Sequence, residues 1–492
     1  MKILNKYNHI ILKASFLSLV LLGSASCTKD LLDPTVITHI AEENAFDTPE
    51  RIVAQINGLY SSLKSGQFWG GRIIIYNELR GDDFIINKAN VVTGHNTWLQ
   101  NVGSSTSEVT NLWSAGYATI NRVNTFLEGL ELNKSKITDV QYANFAGEAR
   151  FVRALCYFSL LQVYAQPYVK DNGASLGLPL RLKGEKTTEN NGLARSTVAQ
   201  IYDQILGDLN AAETGLPLNY ANAILTTTRA HRNTAIALKT RVYLVMGRYA
   251  DVVTEAKKIV STAAPYQAPT GVVNRLEANV ATLFGGSYAG PESVFSLPFT
   301  ATETPGTQSQ LAYYFNINPG NAEFYLNPTG TLADPVYATA STDARKSFIL
   351  TQSGQRWLSK YKVVATFSDW VPVVRYAEVL LNYAEASART NDLVTAAALV
   401  TAVRKRSDAS YNFPATSVTL QPNLISTILQ EKKIEFLGEG FRVPDLQRLL
   451  QPLPAKASAT ERAPAVAPTE SRYIWPISSA ETSTNPLIVQ NP

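Results

Sequence analysis

Cysteine is almost absent: Cys27 and Cys156 are the only two in 492 residues, and one pair that far apart makes no disulfide framework. Histidine is scarce too, with four residues, and His39, His95 and His231 lack the close spacing of a metal site. The chain has no C-x-x-C, no G-x-S-x-G and no glycine-rich phosphate loop after a strand. Thiol redox chemistry, an α/β-hydrolase nucleophile and nucleotide phosphate binding therefore have no sequence sign. Excess charge is missing as well. The formal charge is +4, but Lys2, Lys6 and Lys13 lie in a removable leader, so 41 basic residues face 40 acidic ones and the mature charge is +1. A near-neutral chain gives no electrostatic case for nucleic acid. Past the leader there is no apolar run of membrane length.

What is present begins with that leader. A basic start, an apolar run over residues 14–22 and the small residues Gly23-Ser24-Ala25-Ser26 precede Cys27. This three-part order reads as a secretory signal over residues 1–26. Small residues ending in Cys directly after an apolar run resemble a bacterial lipobox, with Ser24 where leucine is usual. Cys27 is then the expected lipidated N-terminus, anchoring the chain to a membrane rather than threading it through one. The following Thr28-Lys29-Asp30 resembles the tag that directs lipoproteins of Bacteroidetes-type bacteria to the cell surface.

Apolar content of 45% with 17% charge predicts a folded chain, too long for one ordinary core. Helical spacing is clearest over Arg375–Arg389. Tyr376, Leu380 and Tyr383 form one stripe and Ala377, Leu381, Ala384 and Ala388 the next, which predicts a helix packed by several others. Residues 144–165 form the second strongest pattern. Thr48–Lys64 carries Asp47 or Thr48 as N-cap and Pro49 in the first turn. Tyr243, Gly247, Tyr249, Ala256 and Ile259 match the offsets of a tetratricopeptide-type helix pair. Ala386, Leu399 and Ala402 repeat them, with Asn391-Asp392 as the turn in place of glycine. Residues 66–107 read as loop surface with a β-type run at Ile73-Ile74-Ile75, and a last helix is expected over Leu424–Leu450. The resulting organisation is one unit over 27–492: a helical scaffold at about 48–263 and 371–450, an inserted irregular lobe of hairpins at about 264–370, and a wrapping tail over 451–492.

For a ligand with apolar faces and hydroxyl edges, flat aromatics beside amides and carboxylates are the residues to look for. Trp98, flanked by Asn96 and Asn101, is the first candidate, and its alternative is an aromatic plug that packs the loop onto the helices. Trp69 has the same two readings. Asp82 and Asp83 are candidate hydroxyl acceptors or turn residues. Tyr313, Tyr314 and Tyr325 complete the platform, or serve cross-strand packing. Trp113 and Trp475 read as core. Glu378 and Glu385 are the most suggestive carboxylates for hydrolysis, yet seven helical residues hold their Cα atoms about 10 Å apart. Pairing with arginines such as Arg375 is the better expectation, so catalytic residues, metals and cofactors are all read as none.

Five stretches carry a family resemblance. Arg375-Tyr376-Ala377-Glu378-Val379-Leu380-Leu381 with Tyr383-Ala384-Glu385-Ala386, preceded by Lys360-Tyr361, resembles the signature helix of the SusD/RagB family of outer-membrane nutrient-binding lipoproteins. Glu431-Lys432-Lys433-Ile434-Glu435-Phe436, Gly438-Glu439-Gly440, Arg442 and Asp445-Leu446 resemble its second block. Trp475-Pro476-Ile477, Glu481, Asn485-Pro486 and Gln490-Asn491-Pro492 resemble its C-terminal motif, and the segment around Glu148-Ala149-Arg150-Phe151 adds another. The resemblance implies a mostly α, tetratricopeptide-like scaffold with an irregular lobe. It also implies a surface protein, not an enzyme, that captures an oligosaccharide or a peptide for a SusC-like TonB-dependent outer-membrane transporter. A carbohydrate-active hydrolase and a helical-repeat protein-binding adaptor are the rival readings.

Overall fold

Local chemistry sets where the apolar stripes become helices. The computed structural model describes residues 44–492 except 188, 190, 285–287, 307, 318–320 and 364–365. Cys27 and the leader lie outside the described residues. Thr48–Pro492 forms one unit. Its main helices in chain order are α1 (Pro49–Leu63), α2 (Arg72–Leu79), α3 (Ser107–Leu132), α4 (Asp139–Tyr164), α5 (Val198–Gly215), α6 (Arg232–Val245), α7 (Tyr249–Ile259), α8 (Tyr376–Arg389), α9 (Leu393–Ser407), α10 (Gln421–Glu435) and α11 (Arg442–Arg448). Thr48 caps α1, accepting from the Arg51 amide at 3.3 Å, and Thr138 and Thr197 close capping boxes with Gln141 and Gln200 at the starts of α4 and α5.

The two repeat-type pairs are antiparallel helix hairpins, α6–α7 and α8–α9, and they stack on each other. The first turns through Gly247 at φ +71°. The second turns through Asn391, which takes the same left-handed backbone at φ +68°, and Asp392 then caps α9 by accepting from the Thr395 amide at 3.1 Å. Asparagine is the residue that best replaces glycine there, because its short polar side chain tolerates that conformation. Helix α8 is buried along its length except at Arg389. It meets α6, α7, α9 and α10, with the Tyr376 hydroxyl donating to the Ile259 carbonyl at 2.8 Å. The small alanines of its second stripe allow that close approach.

Two expectations fail here. Ile73-Ile74-Ile75 lies in α2, with every residue of that helix buried. Three β-branched residues favour a strand locally, but burial on all sides hides any period and lets packing decide. The helix expected over Leu424–Leu450 is two, α10 and α11, separated by a turn in which Gly438 has φ +80° and a Cβ there would sit 2.2 Å from a Leu358 methyl carbon. Only glycine fits.

The described residues of 264–370 contain short strands, 3₁₀ turns and one short helix, Leu311–Phe315. The strands used below are β1 (Phe84–Ile86), β2 (Ser293–Leu297), β3 (Phe324–Leu326), β4 (Ile349–Gln352), β5 (Gln355–Leu358) and β6 (Val371–Arg375). They form antiparallel pairs: β1 with β3, β2 with β6, and the hairpin β4–β5. Strand β6 runs straight into α8, so the lobe is anchored at the helix the scaffold is packed around.

An ion network holds lobe and helices together. Arg375 binds Glu439 at 2.7 Å, Glu292 at 2.6 Å and Glu435 at 2.9 Å. Arg406 binds Glu292 and Glu435, Arg345 binds Asp343, Glu431 and Glu435, Arg404 binds Glu431, and Lys360 binds Glu439. Five cations thus meet five carboxylates, which makes full burial tolerable. The tail is packed as well: the Trp475 amide donates to the Val163 carbonyl and Asn491 Nδ2 to the Tyr164 carbonyl, at 2.9 and 2.8 Å.

Candidate functional site

The two tryptophans singled out above as binding candidates are packing residues. Trp98 is fully buried, its indole N–H donating to the Phe84 carbonyl at 2.9 Å, with the Lys456 ammonium 5.4 Å from its ring centre. Trp69 is 8% exposed and donates to Ser159 Oγ at 3.0 Å. A large ring in a polar loop has two ways to lose its apolar surface, a ligand or the protein's own core, and here the helices supply the core. Asn96 is half-buried and Asn101 exposed, joined by a bond from the Asn101 amide to the Asn96 carbonyl. Without an exposed ring beside them, Asn96 is a residue of the helical turn His95–Trp98 and Asn101 a loop residue.

Asp82 and Asp83 are also occupied. Arg442 grips Asp82 in a two-pronged pair at 2.6 and 3.0 Å, and Asp83, buried, accepts from the Thr331 amide at 2.7 Å. Burial raises the Asp83 pKa, and the neighbouring Asp82 charge adds to that. Tyr314 is buried and stacked on Phe324 with 6.2 Å between ring centres. Tyr325 is half-buried against Trp357 at 6.0 Å. Glu378 is paired with Arg241 at 2.5 Å, and Glu385 with Arg448 at 2.7 Å and Arg389 at 2.9 Å. Arg375, the partner expected for them, serves Glu292, Glu435 and Glu439 instead. Despite burial, Arg448, Lys432 and Arg389 hold the Glu385 carboxyl far below the usual carboxylate range. These are structural pairs, and none leaves a carboxylate free for acid–base work.

Among the predicted aromatics, Tyr313 has a half-buried ring as its partner. It is half-buried and lies 5.9 Å from the Phe367 ring. Three residues further on, Trp370 stacks on Tyr288 with ring centres 5.3 Å apart and planes 10° from parallel. Both rings are half-buried. Asp369 fixes the pair: one carboxylate oxygen accepts from the Tyr288 hydroxyl at 3.0 Å and the Lys362 amide at 3.1 Å, the other from the Val363 amide at 3.0 Å. Burial raises the Asp369 pKa, and these three donors pull against that. Thr366 and Ser368 hydroxyls lie 2.8 Å apart in the same segment, and Glu277, half-buried, abuts Gly290, two residues beyond Tyr288. The result is a flat aromatic pair anchored by Asp369, with hydroxyls in the segment that leads to it. Sequence reasoning missed Tyr288, Phe367 and Trp370. Their one signal was a Ser-Asp-Trp step between a polar loop and β6.

A second aromatic pair, Tyr411 and Phe413, lines a groove of about 540 Å³. Its rings meet edge to face, and the Arg404 guanidinium lies 4.5 and 5.5 Å from their centres. A cation therefore already occupies the ring faces, which leaves Trp370–Tyr288 as the better platform.

Residues 33–244 match a family model described as "Starch-binding associating with outer membrane", and residues 359–492 match one described as "SusD family". A SusD superfamily protein from Bacteroides fragilis is 34% identical over a superposition covering 90% of this chain and 99% of that one, with a TM-score of 0.81. The chain belongs to the SusD/RagB family. SusD-like protein P2 of Formosa agariphila is 25% identical over 85% of this chain and 87% of its own length. A laminarin-binding SusD-like protein shares the fold at a TM-score of 0.69 and 20% identity, with 90% of this chain and 99% of that one covered. The stacked α6–α7 and α8–α9 hairpins are thus the SusD-like scaffold, and the Trp370–Tyr288 surface is carried on its irregular lobe.

Proposed function

We propose that this protein binds an oligomeric glycan on the Trp370–Tyr288 surface and delivers it to a SusC-like TonB-dependent outer-membrane transporter, working as a lipoprotein anchored through Cys27 and facing the cell exterior. The observation that carries the reading is the parallel, half-open Trp370–Tyr288 pair. The apolar face of a pyranose ring stacks on such a surface, while its hydroxyls bond the polar groups at the edge. Family membership and a laminarin-binding relative support a glycan over a peptide. Capture rather than hydrolysis is supported by the commitment of Glu378, Glu385, Asp82 and Asp83 to arginines or backbone. No helix among the described residues is long and apolar enough to cross a membrane, in keeping with an acyl anchor.

Affinity electrophoresis on a panel of polysaccharides that includes laminarin tests the reading. The wild type is retarded by at least one glycan, Trp370→Ala abolishes the retardation, and Trp98→Phe leaves it unchanged. If no glycan retards the wild type, the protein is an adaptor of another kind. If Trp370→Ala and Tyr288→Ala both bind normally, the surface is misplaced.

A further inference from the structure

A tryptophan offers two recognition surfaces, a flat apolar face and one N–H at the ring's edge. Five of the six tryptophans are buried, and only Trp370 is half-open. Trp69, Trp98, Trp113 and Trp357 each spend the indole N–H inside the protein, on Ser159 Oγ at 3.0 Å, the Phe84 carbonyl at 2.9 Å, Glu481 Oε2 at 3.4 Å and the Gln352 carbonyl at 3.1 Å. The Trp370 N–H has no acceptor among the described residues, and burial does not close it off. It is an unspent donor beside the aromatic pair.

The direction of that N–H is set by its surroundings. Trp370 lies on Tyr288 with planes 10° from parallel and ring centres 5.3 Å apart, so the rings are offset and the indole plane follows the phenol plane. The phenol is held in turn. Its hydroxyl donates to Asp369 at 3.0 Å, and Asp369 also accepts from the Lys362 and Val363 amides. Asp369 is 5% exposed, so its carboxylate is spent on these donors rather than on a ligand. An N–H lying in the ring plane bonds an oxygen in that same plane, because hydrogen bonds weaken steeply away from linearity. A sugar stacked on the face lies about 3.5 to 4 Å above that plane. One sugar unit does not meet both demands.

We propose that Trp370 reads two successive units of a glycan: its face stacks on one, and its indole N–H donates to an oxygen of the next as the chain passes over the ring's edge. This role rests on the Trp370–Tyr288 pair being the glycan surface, and it adds a minimum ligand, a chain of at least two units with an accepting oxygen on the unit next to the stacked one. Tyr288 and Asp369 are positioning residues here, since they set the plane in which that oxygen must lie. A single sugar gains the stacking alone.

Isothermal titration with laminarihexaose, cellohexaose, maltohexaose and mannohexaose tests this, joined by saturation-transfer NMR with the methyl glycoside of the sugar in whichever hexaose binds. The decisive protein carries benzothienylalanine in place of Trp370, which keeps the ring's shape and puts sulfur where the N–H was. Its affinity for the hexaose falls about twofold to tenfold, as loss of one neutral hydrogen bond does, while its contact with the methyl glycoside is no weaker than that of the wild type. Trp370→Phe loses at least as much hexaose affinity, and Trp370→Ala abolishes binding. If no hexaose binds, or if Trp370→Ala binds normally, the glycan surface is misplaced and the two-unit role falls with it. If Trp370→Ala loses binding while the benzothienylalanine protein keeps wild-type affinity, the surface stands and the two-unit role is overturned. A methyl glycoside weakened as much as the hexaose also overturns it, because the N–H then serves the stacked unit.

Discussion

Trp98 and Trp370 sit in similar polar surroundings in the sequence and end in opposite environments, one sealed against Phe84 and one half-open against Tyr288. Composition around a residue reports what it can contact, not what the fold brings to it. Two buried ionisable groups give a prediction at this scale. Burial pushes the His231 pKa from 6.5 down to about 4. Burial, with Asp83 nearby, pushes Glu78 from 4.5 up to about 8. Between pH 4.5 and 6.5 the unfolded chain binds a proton at His231 that the folded chain refuses, so this group's contribution falls as pH falls. At Glu78 the folded chain keeps a proton that the unfolded chain releases, so its contribution rises as pH falls. Each slope is about 1.4 kcal/mol per pH unit. Relative to wild type, His231→Asn should gain stability as pH drops from 6.5 to 4.5 and Glu78→Gln should lose it, both read by urea unfolding. A pH-independent difference for either variant refutes its assignment.

Helix α8 was the most legible element, because two apolar stripes and a run of alanines leave no other way to bury so much surface. Helix α2 was the least legible, since a helix apolar or buried on all sides carries no period. The network at Arg375 shows how element-scale electrostatics differs from pair counting. Arg375→Met leaves Glu292, Glu435 and Glu439 short of a partner, and breaking a buried pair from one side costs about 3 to 5 kcal/mol. A drop of that size in unfolding free energy, with Asn391→Gly as stable as wild type because glycine takes the left-handed backbone freely, is the expected pattern. An Arg375→Met variant as stable as wild type would show that the carboxylates repack or take up protons at little cost.

At the scale of the whole molecule the tail closes the structure. Tyr473, Ile474, Trp475 and Ile477 are buried although they lie within the last twenty residues, and Trp475 packs 5.2 Å from Tyr76 and 5.9 Å from Tyr164. Trp475→Ala should cost about 3 to 5 kcal/mol and expose the chain after residue 470 to limited proteolysis. An unchanged melting temperature would mean that the tail is only laid on the surface. By itself the sequence determined the helices with one exposed and one apolar face, the caps at Thr48 and Thr197, the stacked hairpin pair and the family, because periodicity, capping and motif spacing are local properties. Tertiary structure alone decided which aromatics stay open and which carboxylates pair. The Trp370–Tyr288 stack joins rings 82 positions apart, and the Glu385–Arg448 pair spans 63 positions. No local pattern encodes contacts at that separation; they exist only once β6 and α8 have brought lobe and scaffold together.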